Sequence, residues 1–480
     1  MRITIALACA MAACALPAAA QAAVVEEAAD GSLRFRGSGG EANIVSVTTS
    51  SSNAVSIQDL NGVTSNTPLC AEISTRRLNC AIGIRINQIQ LGSGNDIIAV
   101  DVPNRVIVEG GFGNDTLDGG KGTDPTAVTF TGGDGFDVVS YSTTDRAVQV
   151  TPSTFDGRIG FDQDVIGTDV EKIAGSRFND NLFSMSDHGT LIGGRGDDRL
   201  TGNQTAGSIA VFEMGRVADG ADRVVPGPSL NFINYSGRTL PVNLTAGFRG
   251  ADDGEAGERD DIGSRGSMII DGGQAGDTLS TFGSAIAGSS FSLNGNGGVD
   301  TLEGGESGEF MMGGPGADTF LANGGNDFIS ADDGVGDTVG CGLGTDTARL
   351  DSRDGFSGCE NRTVGKLALS PAAIKAKAGR PANVRLSWRH PEGWRKLRKV
   401  ELRLIQGGVP VGEITIRPGK DRIVAEGAVR LVRKKTRLSR SGKTVVAKLA
   451  LRFDGSLAGR TLKTEVEATD VSGARQIERR

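Results

Sequence analysis

A nine-residue pattern of glycines and carboxylates constrains this chain more than any other feature. Residues 110–124 read GGFGNDTLDGGKGTD, in which the unit GGxGxD occurs twice, nine residues apart. From residue 295 the same frame returns as GNGGVDTLE, GGESGEFMM, GGPGADTFL and ANGGNDFIS. A flexible glycine-rich loop has no reason to keep such a register, so the period predicts a structural repeat.

A second regularity accompanies the repeat acids. In every unit but one, the residue two positions after the acid is apolar, and the exception is Thr126, which follows Pro125. Glycines permit turns with positive φ, and side chains alternate along a strand. Each unit therefore predicts a turn that ends at the acid, followed by a short strand with one inward apolar side chain. The repeat acids are Asp96, Asp115, Asp124, Asp137, Asp180, Asp198, Asp277, Asp300, Glu309, Asp318, Asp327, Asp337 and Asp346.

Stacking of these units would bring carboxylates close together, and their repulsion predicts that a cation binds between them. Stacking would align the carboxylates on the outside of the repeat, where they repel one another unless a cation compensates. A hard cation with about six to eight oxygen ligands meets that need, and Ca²⁺ suits a flexible oxygen cage better than Mg²⁺. We therefore expect the repeat acids to be metal ligands and the chain to bind several Ca²⁺ ions.

The units GGFGNDTLD and GGPGADTFL resemble the GGxGxDxUx nonapeptide of the RTX (hemolysin-type) calcium-binding repeat family. The resemblance covers roughly residues 91–350 and is clearest at 110–124 and 295–349. It implies a right-handed parallel β-roll in which two nonapeptides form one coil, with ions between acids about 18 residues apart. The pairs at suitable spacing are Asp96/Asp115, Asp300/Asp318, Glu309/Asp327, Asp318/Asp337 and Asp327/Asp346.

The N-terminus predicts export. Residues 1–22 carry one early Arg, a short apolar run and an A-x-A site, which is typical of a cleaved signal peptide. Lipoprotein processing at Cys14 is the alternative. No later run of about 20 apolar residues follows, so we expect no membrane span and a secreted, extracellular or envelope-associated protein.

Four cysteines remain after the signal peptide, and they allow three disulfide connectivities. The local pairs Cys70–Cys80 and Cys341–Cys359 close the shortest loops and are the expected disulfides. A zinc site is disfavoured because neither histidine lies near a cysteine pair.

Charge divides the chain at one point. Residues 1–365 hold 23 Lys and Arg against 48 Asp and Glu, a net charge of −25, whereas residues 366–480 hold 28 against 10, a net charge of +18. Such a switch marks a domain boundary and two kinds of partner. Beyond it, alternating stretches such as KVELRLI and AKLALRF predict an antiparallel β-sandwich.

The expected fold class is all-β: a right-handed parallel β-roll or β-helix solenoid followed by that C-terminal sandwich. Between the clean repeats, a duplication begins at Tyr141 and Tyr235 and aligns Asp164-Val165 with Asp261-Ile262. The expected domains are a signal peptide at 1–22, a β-rich N-terminal cap at 23–90, the RTX-like coil at 91–365 with inserted segments at about 141–182 and 235–279, and a basic sandwich at 366–480.

The motifs favour a binding protein over an enzyme. The chain lacks the H-E-x-x-H of zinc proteases and the G-x-S-x-G of esterases. We expect a secreted calcium-binding structural or adhesive protein whose basic domain attaches to anionic surface polymer or polysaccharide, without nucleic acid as a partner. The alternatives are a β-helical polysaccharide-modifying enzyme and a passive calcium-stabilised spacer.

Overall fold

The computed structural model describes residues 22–479 apart from 38, 41, 50–53, 120–126, 153–155, 160–161, 248–251, 284–288, 351–352, 363–364, 372, 378–379, 391–392 and 472–474. Cys14, almost all of the predicted signal peptide and the repeat acid Asp124 therefore lie outside the described residues. Within those residues the fold is all-β, and the helical turns are short 3-10 turns at Trp394–Lys396, Pro418–Lys420, Arg433–Lys435 and Gly455–Leu457. No helix in this part of the chain has the length and apolar character needed to cross a membrane.

The chain divides into two compact units, of which the first contains the residues up to Glu213 together with Asp222–Gly227. Its strands are β1 (Ala23–Glu27), β2 (Leu33–Arg36), β3 (Ile44–Thr49), β4 (Ala54–Asp59), β5 (Val63–Ser65), β6 (Cys70–Ser74), β7 (Arg77–Ile82), β8 (Ile86–Ser93), β9 (Ile97–Asp101), β10 (Arg105–Phe112), β11 (Thr116–Asp118), β12 (Ala127–Asp134), β13 (Val138–Ser140), β14 (Val148–Val150), β15 (Gly157–Arg158), β16 (Val165–Ile166), β17 (Lys172–Ala174), β18 (Asn181–Phe183), β19 (His188–Ile192), β20 (Arg199–Thr201), β21 (Ile209–Glu213) and β22 (Arg223–Val225).

Parallel pairing dominates the first unit. Its three stacks of parallel strands are β2-β8-β10-β12-β16, β3-β9-β11-β13-β17-β19-β21 and β14-β18-β20-β22. Antiparallel pairs β1–β2, β3–β4, β4–β7 and β6–β7 lie at the N-terminal end. Parallel stacking already begins at β2 and β3, inside the segment predicted as a cap, and β8 crosses residue 90.

The second unit contains Met214–Ala221 and Pro228–Arg480. Its strands are β23 (Leu230–Asn234), β24 (Val242–Thr245), β25 (Gly254–Glu255), β26 (Asp261–Ile262), β27 (Ser267–Asp271), β28 (Thr278–Ser280), β29 (Phe291–Asn294), β30 (Thr301–Glu303), β31 (Glu309–Met312), β32 (Thr319–Leu321), β33 (Phe328–Ala331), β34 (Thr338–Gly340), β35 (Thr347–Leu350), β36 (Gly355–Ser357), β37 (Asn361–Arg362), β38 (Lys366–Ser370), β39 (Ile374–Lys375), β40 (Ala382–Arg389), β41 (Leu397–Gln406), β42 (Val409–Arg417), β43 (Arg422–Gly427), β44 (Val429–Leu431), β45 (Arg437–Ser441), β46 (Thr444–Phe453), β47 (Thr461–Asp470) and β48 (Arg475–Arg479).

Strand pairing in the second unit changes from parallel to antiparallel after β37. The parallel stacks are β23-β27-β29-β31-β33-β35-β37 and β24-β28-β30-β32-β34-β36. The antiparallel part contains β38-β40-β46, with β44 and β45 also on β46, and β43-β42-β41-β47, with β39 and β48 on β47. One apolar core draws side chains from β40 and β46 and from β41 and β47, among them Trp388, Val445, Leu402 and Val466.

The inward apolar residues form ladders along the parallel stacks. In one stack Leu279, Leu302, Phe320 and Val339 lie in register on successive strands. All twelve apolar residues predicted to point inward are at most 2% exposed, which confirms that part of the prediction: Ile98, Leu117, Val139, Leu182, Leu200, Leu279, Leu302, Met311, Phe320, Ile329, Val339 and Ala348. Long parallel stacks around such ladders are compatible with a β-solenoid.

The two inserts share one plan, with a correction to the predicted alignment. The buried Tyr141 and Tyr235 donate their hydroxyl hydrogens to Asp164 Oδ2 at 3.2 Å and Asp260 Oδ2 at 2.5 Å. Asp164 therefore corresponds to Asp260, and the sequence alignment with Asp261 is wrong by one residue. The cause is one additional residue between β26 and the next repeat acid, compared with the same segment after β16.

Each insert also buries an arginine, but in a different place. Arg158, on the first hairpin β14–β15, pairs with Asp162 through Nε at 2.7 Å. On the second hairpin, β24–β25, the same position is Glu255. Arg238 lies outside that hairpin and pairs with Glu255 at 3.1 Å and with Glu258 at 2.7 Å. The sign of the buried charge on the hairpin is thus reversed between the copies.

Both expected disulfides are present. Cys70 is bonded to Cys80 across β6 and β7, and Cys341 is bonded to Cys359 after β34. The choice of local pairs among the three connectivities is confirmed.

Candidate metal centre

The repeat acids form four ladders of hydrogen bonds, which we call carboxylate ladders. In each ladder, one carboxylate oxygen of an acid accepts the backbone N–H of the ladder residue in the preceding coil. The N–O distances between successive ladder acids are 2.7–3.1 Å. The ladders are Asn43-Asp96-Asp115-Asp137-Glu171, Asp180-Asp198-Asp222, Asp277-Asp300-Asp318-Asp337-Asp354 and Glu309-Asp327-Asp346-Glu360.

The spacing of the repeat acids predicts that the acids of successive coils lie next to one another. Asp300 N donates to Asp318 Oδ1 at 2.9 Å, and Asp318 N donates to Asp337 Oδ1 at 2.8 Å. The other three predicted pairs are joined in the same way: Asp96/Asp115, Glu309/Asp327 and Asp327/Asp346. Each pair belongs to neighbouring coils of one ladder, so the structure brings all five together.

The position of the carboxylates differs from the expected one. We expected them to align on the outside, but every described repeat acid is at most 4% exposed. At several acids the cause is local, because backbone of a glycine in the same repeat and backbone of the next coil lie against the carboxylate, as at Asp115, Asp180 and Asp300. A Cβ atom on Gly110 would overlap both Asp115 Oδ2 and the carbonyl oxygen of Gly132, so only glycine leaves room for these two oxygens. The first glycine of the unit is thereby explained.

One oxygen of most repeat acids is satisfied and the other is not. One carboxylate oxygen of each of these acids accepts a hydrogen bond from a backbone N–H. The other oxygen of the same carboxylate is buried and has no hydrogen-bond partner. Native proteins rarely leave buried polar atoms unpaired, so a repeated set of them points to a missing partner. These atoms are the Oδ2 atoms of Asp96, Asp115, Asp137, Asp300, Asp318, Asp327, Asp337 and Asp346, and Oε1 of Glu309.

Two repeat acids depart from this pattern. Asp180 accepts the backbone N–H of Ser176 as well as that of Val148, and Asp277 accepts those of Gly273 and Val242. Both carboxylate oxygens are therefore hydrogen-bonded in these two residues, which stand at the start of their ladders. Their need for a cation is weaker than that of the acids inside the ladders.

Burial makes the ladder carboxylates hard to ionise. Desolvation raises the pKa of Asp115 and Asp137 to about 6 and that of Asp300 and Asp337 to about 7, with neighbouring carboxylates adding to the rise. The pKa of Glu309 also rises to about 7, for the same two reasons. A bound cation would reverse this effect, because an opposite charge favours the ionised form.

The donor set fits a hard cation only if backbone oxygens take part. No group of three or more His, Cys, Asp or Glu side chains in the described part of the chain is arranged to hold a metal ion. The ladders account for this, since each coil adds one carboxylate to a ladder. Carbonyl oxygens are close by: a Cβ on Gly295 would overlap both Asp300 Oδ2 and Gly313 O. Carboxylates and backbone carbonyls are the ligands that Ca²⁺ takes in proteins.

Sequence reasoning missed five ladder residues, which are Asn43, Glu171, Asp222, Asp354 and Glu360. Asp354 has no glycine in the five positions before it. Glu360 keeps Gly355 and Gly358, but Arg362 stands two positions later in place of an apolar residue. For Glu171 and Asp222 a signal exists, because Ile173 and Val224 follow two positions later and are buried. Asn43 shares that signal through Val45, but it carries an amide in place of the carboxylate.

No protein-family model matches the chain, and no curated protein matches it.

Proposed function

We propose that this protein is an exported calcium-binding structural protein that attaches to anionic surface polymers. In this proposal the carboxylate ladders take up Ca²⁺ between coils, and the basic residues after β37 provide the attachment. The proposal includes an RTX-type right-handed β-roll for the parallel stacks and a β-sandwich for the antiparallel part. It also includes secretion, and it assigns no catalytic role.

The observation that carries the calcium role is the repeated buried oxygen without a hydrogen-bond partner. One such atom alone would have many explanations. Nine of them recur in the same geometry on three ladders, and all nine are buried carboxylate oxygens that a cation would bind. Leaving a buried charged oxygen unpaired costs more than about 1–3 kcal/mol each. A divalent cation removes that cost at several acids together.

The ladder acids would hold the ions together with carbonyl oxygens of the glycine turns. When bound, Ca²⁺ supplies positive charge and flexible oxygen coordination, and it performs no reaction in this role. The protein residues do the remaining work: backbone N–H groups fix one oxygen of each acid, and the glycines keep space beside the other. Three of the ladders each contain three successive acids with such an oxygen, as in the series Asp300, Asp318 and Asp337.

Calcium titration of the secreted form tests this proposal. We expect saturable uptake of several ions per chain, with a gain in β circular dichroism and a higher melting temperature, because binding and folding are one event when a site exists only in the folded state. Extracellular calcium modules bind in the range of about 10⁻⁴–10⁻³ M. A spectrum and melting temperature that are the same in Ca²⁺ and in chelator would refute the calcium role. Mg²⁺ at the same concentration is the matched control and should be much weaker.

A further inference from the structure

A groove of about 710 Å³ lies in the antiparallel part, between β43 on one side and β44 and β45 on the other. Four arginines line it, namely Arg422, Arg430, Arg433 and Arg437. The carboxylate in the lining is Asp421, which already binds Arg440 at 3.1 Å. Among the described residues, four positive charges therefore line the groove. The charge of the acid in the lining, Asp421, is compensated by Arg440, which is not part of the lining.

The four guanidinium groups have donors left for a ligand. Arg430 Nη1 donates to Gly427 O at 3.4 Å, and Arg437 Nη1 donates to the carbonyls of Lys434 and Thr436. Within the described residues, none of the four arginines forms an ion pair with a carboxylate. Each guanidinium has five N–H donors in a planar fork that matches carboxylate or sulfate oxygens.

The floor of the groove has a different character from its rim. Ile423, Leu431 and Leu438 contribute partly buried apolar surface that packs on the core of the antiparallel part. An apolar floor between charged rims suits a ligand with apolar ring faces and anionic substituents. Among the residues that the structure describes, no aromatic side chain lines the groove, so this lining offers no stacking platform of the kind with which proteins hold single-stranded nucleic acid.

We propose that this arginine-lined groove is the binding site for an acidic polysaccharide, whose sugar rings cover the apolar floor and whose anionic groups pair with the arginines. Several arginines along one groove match a chain with an anion on successive residues better than a single small anion. This inference rests on the attachment role proposed above and locates it, and it does not depend on calcium.

The test uses the full chain and oligogalacturonate as the probe, with calorimetry at an ionic strength of about 0.15 M, where the screening length is about 8 Å, in excess Ca²⁺ and again in chelator. The double variant Arg422→Gln/Arg433→Gln should bind at least about tenfold more weakly, since charge-assisted hydrogen bonds are lost. The matched control is Arg398→Gln/Arg460→Gln, which removes the same charge from exposed positions outside the groove. It should change the affinity by less than about twofold, because exposed distant charges are screened.

Three outcomes would overturn the inference. Equal losses in the two double variants would reduce binding to overall charge, and equal binding of neutral maltooligosaccharide would remove the role of the anions. Binding to vesicles of phosphatidylglycerol without binding to oligogalacturonate would assign the groove to lipid. If the unaltered chain binds no polyanion, the attachment role itself fails. If it binds in Ca²⁺ and in chelator alike while the calcium titration is flat, only the calcium role fails.

Discussion

At the scale of the residue, the repeat acid performs two tasks with its two oxygens. Asp318 Oδ1 accepts the N–H of Asp300 and so links two coils without any ion. Its Oδ2 has no hydrogen-bond partner and carries the charge that needs compensation. Substitution by asparagine separates the tasks, because the amide keeps an acceptor oxygen and loses the charge.

We predict that Asp318→Asn has opposite effects with and without calcium. In Ca²⁺ the variant should bind fewer ions and melt at a lower temperature, because Asp318 lies between two ladder acids. In chelator it should be at least as stable as the unaltered protein, because a buried carboxylate has been neutralised. Calorimetric stoichiometry and thermal melts measure both effects. Asp187→Asn, at an exposed aspartate outside the ladders, is the control, and equal behaviour of the two variants would contradict the ladder assignment.

The raised pKa values predict how the calcium-free protein responds to pH. The carboxyl groups of Asp300, Glu309 and Asp337 have pKa values of about 7 in the folded state. Unfolded acids titrate near 3.9–4.3, so the folded state binds more protons between these values. Its stability is therefore full below the unfolded pKa and is lost as pH rises through about 6 to 7. In chelator, melting temperature and β circular dichroism should increase from about pH 8 to about pH 5.

With saturating calcium the pH trend should become flat or reverse, since protons then compete with the ion for the same oxygens. If the calcium-free protein instead loses stability as the pH falls from about 8 to about 5, then the ladder carboxylates are ionised in the folded state without a bound cation.

At the scale of the element, the inward ladder of apolar residues holds successive strands together. Leu302 is fully buried in β30 between Leu279 and Phe320. We predict that Leu302→Ala lowers the free energy of unfolding by about 2–5 kcal/mol, from lost apolar burial and the remaining cavity. Leu321→Ala in the neighbouring β32 should cost less than about 1 kcal/mol, since Leu321 is 42% exposed. Denaturant unfolding in Ca²⁺ measures both, and similar losses would argue against the inward ladder.

The same elements show what the sequence could and could not predict. The repeat acid and the apolar residue two positions later could be predicted, because the acid ends the turn and the apolar residue points inward from the strand. Asp318 ends its turn and Leu302 points inward, as the pattern predicts. The strands at Gly157–Arg158 and Gly254–Glu255 have two residues each, too few for any alternation to show. The burial of the carboxylates also escaped prediction, because it depends on backbone from the next coil.

At the scale of the whole molecule, we expect calcium to stabilise the parallel stacks and not the antiparallel sheets. The antiparallel part already pairs acids internally: Arg403 bonds to Glu465 and to the buried Glu467 at 2.9 Å and to Glu413 at 3.2 Å. Its apolar core includes Trp388. Its described residues therefore contain no cluster of ladder acids that requires a cation.

We predict that removal of calcium from the full chain exposes the parallel stacks to hydrogen exchange while β40, β41, β46 and β47 stay protected. Exchange measured by mass spectrometry in Ca²⁺ and in chelator provides the comparison, and the peptides across β28–β34 should show the largest change. Loss of protection in both parts to the same extent would mean that the antiparallel sheets also depend on the ion.

The reversed charges in the two inserts bear on how a repetitive chain finds one folded state. Register is weakly specified in glycine-rich strands, so similar coils are prone to alternate pairing. The hairpin that carries Glu255 and Glu258 requires Arg238, and the corresponding position in the first insert is Thr144. Exchange of the hairpins would leave two carboxylates buried without a cation, which costs several kcal/mol. The opposite charges of the two hairpins therefore favour the native position of each hairpin over the exchanged one.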